Sequence, residues 1–344
     1  MKRRSYGWFV ELYDFLSGYV GTSNNTLNIS NLGIPGVARI GDLDIVLLSD
    51  GRVVSGDKNK IYFPPAKAKL REKVFAVNNI AVNDKKYNFI DGRVLDIIKK
   101  DHPQLEKWFE NNFKIKEFKV AEFIDEQVLN YLDNYNLKNE EIYLLTAFLA
   151  ETYDEWKDIK GMAEKIKKTL PLINVRNSKV DYDELSSSYV VLPELYPLDA
   201  DWCGFVEEKD RKNLINLNKN YIDILKNLPI GKSFSKVLRI TSSPGLPFIR
   251  DDNGNIEYCV PSWIDNFRPK DKNNDERVDS MLKWLQKKAK ESSVNFKGPE
   301  YFRFIEKLSN TPWLNTTKGL KCPSESFIDN ESVREVFDKK SVPF

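Results

Sequence analysis

The stretch Asp44-Ile45-Val46-Leu47-Leu48-Ser49-Asp50-Gly51, followed by the run Ile61-Tyr62-Phe63-Pro64-Pro65, decides how this chain folds. An Asp-Gly pair between apolar runs is a strong hairpin signal, because glycine readily adopts the positive φ that tight turns require. The two runs therefore predict a β-hairpin whose far end is bounded by prolines.

The same arrangement recurs along the chain: an apolar strand, a polar turn, a polar return and an apolar end bounded by proline. A second copy runs from Leu170 to Pro193, a third from Thr311 to Ile328, and a looser relative from Phe248 to Trp263. The uneven intervals exclude a solenoid of fixed period. Hairpins with polar turns are common, so spacing alone leaves open whether the copies are related.

Between these segments, apolar residues recur at the three-to-four-residue spacing that is typical of helices. Helices are predicted at about 5–19, 209–228 and 277–290, and from about Pro103, Asn139, Pro299 and Asn330. The pattern predicts an α+β fold in which helical segments alternate with small hairpins or sheets. We expect three units: an N-terminal helix and hairpin unit (1–115), a mainly helical unit with a hairpin (116–235) and a C-terminal α+β unit (236–344).

Composition narrows the classes of function. Of the 344 residues, 41% are hydrophobic and 30% charged, which is typical of a folded protein. The charges of the 53 basic and 51 acidic residues nearly cancel, so the net charge gives no indication of nucleic-acid binding. No apolar run is long enough to span a membrane, and we expect a cytoplasmic protein without a membrane partner.

Rare residues exclude further chemistry. The single histidine, His102, and three widely spaced cysteines, Cys203, Cys259 and Cys322, form neither a catalytic triad nor a disulfide framework. A zinc site would need all four side chains from remote loops. No glycine-rich phosphate loop is present. The sequence predicts no catalytic residue, metal or cofactor.

The third copy resembles a segment of very large sacsin-like proteins, W-hydrophobic-x-T-x-x-G-x-x-x-P-S-E-x-F-L. Its matching positions include Trp313, Gly319, Pro323, Glu325 and Phe327. The opening helix (8–16), the Ser49-Asp50-Gly51 turn with its Ile61-Tyr62-Phe63-Pro64 return, and the ending Ser341-Val342-Pro343-Phe344 are also similar to that family. We treat Gly51 as part of the same structural motif.

This resemblance implies part of a large protein with a histidine-kinase/Hsp90-type ATPase domain, chaperone-like in eukaryotes and often defence-associated in prokaryotes. The Glu/Asn helix, D-x-G-x-G loop and glycine-rich lid of that ATPase are absent from this sequence. The chain therefore resembles the non-catalytic middle region. The expected function is a scaffold or protein-interaction module whose partner is another protein or the remainder of a larger chain.

Nucleic-acid binding is the main alternative, because basic residues cluster near the C-terminus with Trp284 and Trp313 interleaved. Lysines and arginines bind the phosphate backbone and aromatic rings stack on bases, whereas a solvated helix with C-terminal lysines explains the same pattern. The candidate residues are Lys283, Lys287, Lys288, Lys290, Arg303, Lys307, Lys318 and Lys321.

A carboxylate metal-dependent nuclease is the third hypothesis. Its acidic residues would be Asp251, Asp252 and Glu257, or Asp181, Asp183 and Glu184, holding Mg²⁺ for phosphodiester chemistry.

Two structural expectations accompany these hypotheses. Gly51 and Gly319 each follow a polar turn residue, so both should have positive φ. Trp313 should be buried against Phe327, as residues on paired strands share a face. An exposed Trp313 would instead be a stacking platform for a base.

Overall fold

The chain folds as predicted into an α+β structure of helices and two-stranded sheets. The structure is a computed structural model that describes residues 4–20, 26–28, 37–56, 58–80, 86–134, 136–186, 188–208, 211, 213–226, 231–242, 244, 248–250, 256–258, 262–265, 272–291, 306, 308–316 and 319–322. The chain divides into two compact units, which we call unit 1 (Met1–Lys165) and unit 2 (Ile166–Phe344).

This division differs from the three units predicted at 115 and 235. In unit 1 the bridge between Tyr62 and Lys116 crosses the first predicted boundary. In unit 2 the bridge between Val190 and Ile240 crosses the second. Both boundaries follow shifts in local pattern, but the strand pairing that joins their two sides is long-range and leaves no local signal.

Unit 1 begins with the predicted amphipathic helix and alternates helices with very short strands. Its helices are α1 (Tyr6–Val20), α2 (Ala68–Asn78), α3 (Gly92–Asp101), α4 (Gln104–Phe113), α5 (Val120–Phe123), α6 (Leu129–Asn134), α7 (Asn139–Glu151), α8 (Tyr153–Trp156) and α9 (Met162–Thr169), which ends beyond the unit boundary. Its strands are β1 (Thr26–Asn28), β2 (Val37–Arg39), β3 (Val46–Leu47), β4 (Val53–Val54), β5 (Ile61–Tyr62) and β6 (Asn88–Phe89).

The Asp-Gly hairpin of unit 1 is confirmed, but its apolar end lies elsewhere. β3 pairs with β4 in antiparallel orientation across the Asp50-Gly51 turn. β5, the start of the proline-bounded run, pairs instead with β6 in parallel orientation. An antiparallel bridge between Leu48 and Ile90 joins the hairpin to this parallel pair. The quoted stretch therefore supplies one strand to each pair, β3 to the antiparallel pair and β5 to the parallel pair.

Unit 2 has the same kinds of elements. Its helices are α10 (Tyr182–Ser186), α11 (Ala200–Phe205), α12 (Asn220–Lys226), α13 (Gly231–Val237), α14 (Ser262–Asp265) and α15 (Lys272–Glu291). Its strands are β7 (Leu172–Ile173), β8 (Lys179–Val180), β9 (Tyr189–Val191), β10 (Leu214–Asn216), β11 (Phe248–Arg250), β12 (Ile256–Tyr258), β13 (Leu314–Thr316) and β14 (Gly319–Lys321).

Unit 2 repeats the pairing scheme of unit 1. The hairpin β7–β8 is antiparallel, β9 pairs with β10 in parallel, and an antiparallel bridge from Asn174 to Leu217 joins the two pairs. A helix connects the parallel strands in both units, α2 in unit 1 and α11 in unit 2. The first two copies seen in the sequence are therefore one structural module, which we call the hairpin module.

The hairpin turns of the two modules match hydrogen bond by hydrogen bond. Leu48 N donates to Arg52 O at 2.8 Å, and Asn174 N donates to Ser178 O at 3.0 Å. The residue before that acceptor has positive φ in both turns, 85° for Gly51 and 59° for Asn177. Glycine and asparagine are the residues that tolerate this conformation best. The prediction of positive φ at Gly51 is confirmed.

The other two hairpins are also present. β11 pairs with β12, and β13 pairs with β14 with Thr316 opposite Gly319. Residues 317 and 318, between β13 and β14, lie outside the described residues. Since the φ of Gly319 depends on residue 318, the positive φ expected there stays a prediction.

The single helix predicted at 209–228 is wrong. Leu214–Asn216 forms β10, and α12 begins only at Asn220. Leu214 and Leu217 fit a helical stripe with Tyr221, but β10 gains parallel main-chain pairing with β9, and tertiary pairing overrides local periodicity in short segments. The helices predicted from Pro299 and Asn330 begin outside the described residues.

Each unit has its own core. In unit 1, α1 buries Phe9, Tyr13 and Leu16 against Trp108 and Phe109 of α4. In unit 2 the core is built from tryptophans, which are joined by Phe205, Met281, Leu285 and Leu308. The buried tryptophans of that core are Trp202, Trp263, Trp284 and Trp313.

We predict opposite effects of the same substitution at two glycines. Gly51→Ala should lower the free energy of unfolding of unit 1 by about 1 kcal/mol, because alanine is strained at positive φ. No atom lies within 4 Å of the added Cβ, so crowding does not contribute. Gly51→Asn should cost clearly less, as Asn177 holds the equivalent position. Chemical denaturation of the wild type and the two variants measures both changes.

Gly18→Ala is the matched control. Gly18 lies in α1 and also has no atom within 4 Å of the added Cβ, so alanine should stabilise the helix by up to about 1 kcal/mol. Equal losses for Gly51→Ala and Gly51→Asn would contradict the backbone explanation.

Candidate functional site

The residues predicted to bind nucleic acid lie mainly on one helix of unit 2. Lys283, Lys287, Lys288 and Lys290 are all on α15, and Lys321 is exposed at the end of β14. Arg303, Lys307 and Lys318 lie outside the described residues. The side chains of Lys288 and Lys290 are likewise outside that description.

Two of these lysines are engaged in ion pairs. Lys283 Nζ lies 2.6 Å from the carboxylate of Asp279, one turn earlier on α15, and the hydrogen bond to Asp279 raises the pKa of Lys283. Lys287 pairs with Asp199. These contacts neutralise part of the predicted basic surface.

Asp199 explains why Lys287 is held in place. Its carboxylate is buried and caps α11 by accepting from the amides of Asp201 at 3.0 Å and Trp202 at 3.1 Å. Burial acts to raise the pKa of Asp199, but hydrogen bonds from Lys287 and the two amides together keep that pKa below its usual value. Lys287 therefore completes a helix cap as well as lying on the basic face.

The aromatic part of the nucleic-acid hypothesis is wrong. Trp284 and Trp313 are both 0% exposed, so neither presents a face on which a base can stack. Trp313 Nε1 donates to Leu308 O at 2.8 Å, which satisfies its polar atom inside the core. The predicted burial of Trp313 is confirmed. Its proposed contact Phe327, with Pro323 and Glu325, lies outside the described residues.

The nuclease hypothesis gains no support from the described carboxylates. Asp181 accepts from the amide of Glu184 at 3.1 Å, as turn and cap residues do. Within the described residues, no group of three or more His, Cys, Asp or Glu is placed to hold a metal ion. Asp251 and Asp252 lie outside the described residues, and Glu257 lies in β12.

His102, the single histidine, is the C-cap residue of α3, and its Nδ1 lies 3.1 Å from Asp14 Oδ1.

A polar cluster in unit 1 is absent from the sequence predictions. Lys60 Nζ lies 2.8 Å and 3.1 Å from the two carboxylate oxygens of Glu126, and the Tyr87 hydroxyl donates to Glu126 at 2.6 Å. The rings of Tyr62 and Tyr87 stack with centroids 4.6 Å apart beneath Lys60. Glu126 lies in a π-helical turn, Ile124–Val128, a feature that often marks functional sites.

The electrostatics of this cluster favour one protonation state. The hydrogen bonds from Lys60, first, and Tyr87, second, lower the pKa of Glu126. The same carboxylate raises the pKa of Lys60. Burial, reinforced by Glu126, raises the pKa of Tyr87. At neutral pH Lys60 and Glu126 form a half-exposed ion pair that links the π-helical turn to the residue before β5.

A groove of about 670 Å³ lies at the end of α11 in unit 2 and is also missed by sequence reasoning. Cys203, Arg211 and Arg277 are among the residues that line it. The two arginines are far apart in the sequence and belong to no motif, so no local pattern indicates that they meet.

Comparisons with protein-family models, curated proteins and solved structures find no match to this chain. Among the described residues, none of the helices combines the length and apolarity needed to cross a membrane.

We predict that Trp313→Ala destabilises unit 2 without acting on nucleic-acid affinity. Removing a fully buried tryptophan should cost about 3–5 kcal/mol, since Trp313 is 0% exposed. Trp8→Ala, at a side chain that is 36% exposed, should cost much less. Thermal melts and a salt-dependent oligonucleotide titration measure the two effects. A mutant that melts like wild type but loses affinity would contradict this structural role.

We predict that Glu126 contributes acid-sensitive stability to unit 1. Because its pKa is lowered on folding, its contribution is complete above the unfolded pKa of about 4.3 and is lost as the pH falls through the folded value. Glu126→Gln should therefore destabilise at pH 7, by about 0.2–1 kcal/mol for so exposed a pair, and converge with wild type in acid. Exposed Glu110→Gln is the control. A pH-independent difference from wild type would contradict the ion-pair explanation.

Proposed function

We propose that this chain is a non-catalytic scaffold or protein-interaction module, part of a large ATP-dependent protein that is chaperone-like or defence-associated. The observation that carries the proposal is the repetition of the hairpin module in two compact units with separate cores. Each copy of the module presents a surface of its own, which suits a protein that holds partners.

The hairpin around Trp313 adds a second line of support. Trp313 belongs to the C-terminal stretch that carries the sacsin-like resemblance, and its buried position directly before β13 suits a structural motif. In this proposal the motif serves folding, and the ATPase activity of such a protein belongs to a separate domain.

Because α15 carries several lysines, nucleic-acid binding is the alternative function that the experiments below have to distinguish from a scaffold role. Lys283 and Lys287 are ion-paired, and the nearby tryptophans are buried. If the chain does bind nucleic acid, the other lysines and arginines therefore have to bind its phosphate backbone without stacking on the bases.

Two assays on the purified chain test the proposal. We expect no magnesium-dependent ATP hydrolysis above the protein-free rate, and no oligonucleotide binding that persists at moderate salt. Turnover that is lost on mutating a carboxylate would overturn the scaffold proposal in favour of an enzyme. Oligonucleotide binding weakened by Lys288→Gln and Lys290→Gln together, but not by Lys99→Gln and Lys100→Gln in unit 1, would overturn it in favour of a nucleic-acid module.

The reading frame on either side of the chain tests the family assignment separately. A histidine-kinase/Hsp90-type ATPase domain in the same frame supports the proposal. An unrelated enzyme domain there would contradict it.

A further inference from the structure

One arginine that lines the groove of unit 2 is held in place by main-chain carbonyls. Arg211 donates from Nε and Nη2 to the Val206 carbonyl at 3.2 Å and 2.9 Å, and Nη2 also lies 3.5 Å from the Cys203 carbonyl. Its guanidinium lies over the ring of Trp202 at 5.4 Å. Main-chain carbonyls and an aromatic face therefore hold the side chain without neutralising its charge.

The charge of Arg211 has no counter-ion in the described part of the chain. Its hydrogen-bond partners there are neutral carbonyls, and these bonds use Nε and Nη2, which leaves the two hydrogens of Nη1. A half-buried charge is costly unless an anion pairs with it. The planar end of a guanidinium is suited to the oxygens of a carboxylate or phosphate.

A second arginine lines the same groove. Arg277 Nη2 lies 2.8 Å from Glu207 Oε1, and its guanidinium lies 6.0 Å from the Trp263 ring centroid. Within the described residues, Nε and Nη1 of Arg277 make no hydrogen bond or ion pair besides the one from Nη2 to Glu207. Glu207 and the exposed Glu208 also line the groove, so within the described residues Arg211 is the lining cation that no carboxylate pairs with.

The equivalent corner of unit 1 is much smaller. There the end of α2 and the start of β6 line a cavity of about 120 Å³. Lys86 lines this corner and donates to Oδ1 of Asn79, the C-cap of α2, at 3.2 Å. Pockets for small ligands are usually about 300–1,000 Å³, so only the corner in unit 2 has the volume of a ligand site.

We propose that the groove of unit 2 binds an oxyanion, a phosphate or carboxylate group, on Nη1 of Arg211 with Arg277 as the second cation. The site goes beyond the scaffold proposal, since it depends only on the groove and its two arginines. The anion belongs either to a small phosphate-bearing molecule or to an acidic peptide.

Cys203 provides a reporter inside the groove. It is a half-buried thiol outside any disulfide. Cys322 of the same unit, whose Sγ donates to Asn310 O at 3.2 Å, is also half-buried and is not among the residues that line this groove. Burial raises the pKa of Cys203, so alkylation by iodoacetamide is measured in mildly alkaline buffer. Peptide mass spectrometry reports the rate at each cysteine separately.

The experiment compares potassium phosphate, a hexaglutamate peptide and potassium chloride at equal ionic strength, using the full chain. With a ligand at about four times its dissociation constant, alkylation of Cys203 should slow about fivefold, because only the free groove reacts. Cys322 should react at an unchanged rate. Protection by phosphate alone identifies a small anion, protection by the peptide alone identifies an acidic partner, and either result supports the site.

Variants locate the protection. Arg211→Gln should abolish it and Arg211→Lys should weaken it, because lysine keeps the charge but loses the planar fork. Arg52→Gln, at an exposed arginine of unit 1, should leave it unchanged. No protection by either anion, equal slowing of Cys322, or protection that survives Arg211→Gln would overturn the proposal. If Arg211→Gln does not fold, the proposal is still tested by whether an anion slows alkylation of Cys203 but not of Cys322 in the wild-type chain.

Discussion

One main-chain hydrogen bond in each unit fixes the positions of both the hairpin and the following helix. Asp91 N donates to Leu47 O at 2.9 Å in unit 1, and Asn218 N donates to Ile173 O at 3.0 Å in unit 2. The side chain of the same donor then accepts an amide at a helix start, since Asp91 caps α3 by accepting from the Arg93 amide and Asn218 accepts from the amide of Asn220, the first residue of α12. A single residue therefore ties the sheet to the helix start.

The two units stabilise the hairpin strand with the same bond from different helices. Leu47 N donates to the hydroxyl of Tyr13 on α1 at 3.2 Å, and Ile173 N donates to the hydroxyl of Tyr221 on α12 at 2.9 Å. Burial raises the pKa of Tyr13, so this hydroxyl stays protonated and donates to Ile45 O. A buried amide must find an acceptor, and each unit meets that need with a different tyrosine.

Local turn chemistry was predictable from the sequence, whereas long-range pairing was not. Asp50 and Gly51 specify a turn by their own conformational preferences, so the first turn was predicted correctly, although its return strand is β4 and not the run at Ile61. The partner of Ile61 and Tyr62 is β6, after an intervening helix, and no nearby residue identifies it. The strand at Leu214 was assigned to a helix for the same reason.

The candidate sites divide in the same way. The sequence indicated that Trp313 belongs to a structural motif, because its hairpin is contiguous, and the tryptophan is buried. Lys60 and Glu126, or Arg211 and Arg277, meet only in the fold. Their residue types are common on surfaces, and their spacing in the chain carries no signal of chemistry.

The central claim is that both units are built on the same hairpin module, and amide hydrogen exchange of the whole chain tests it most directly. The account predicts that the amides of Asp91 and Asn218 are both strongly protected, exchanging only when their unit opens, while the exposed turn residue Asp50 exchanges rapidly. Protection of one of the two amides with free exchange of the other would contradict a shared module.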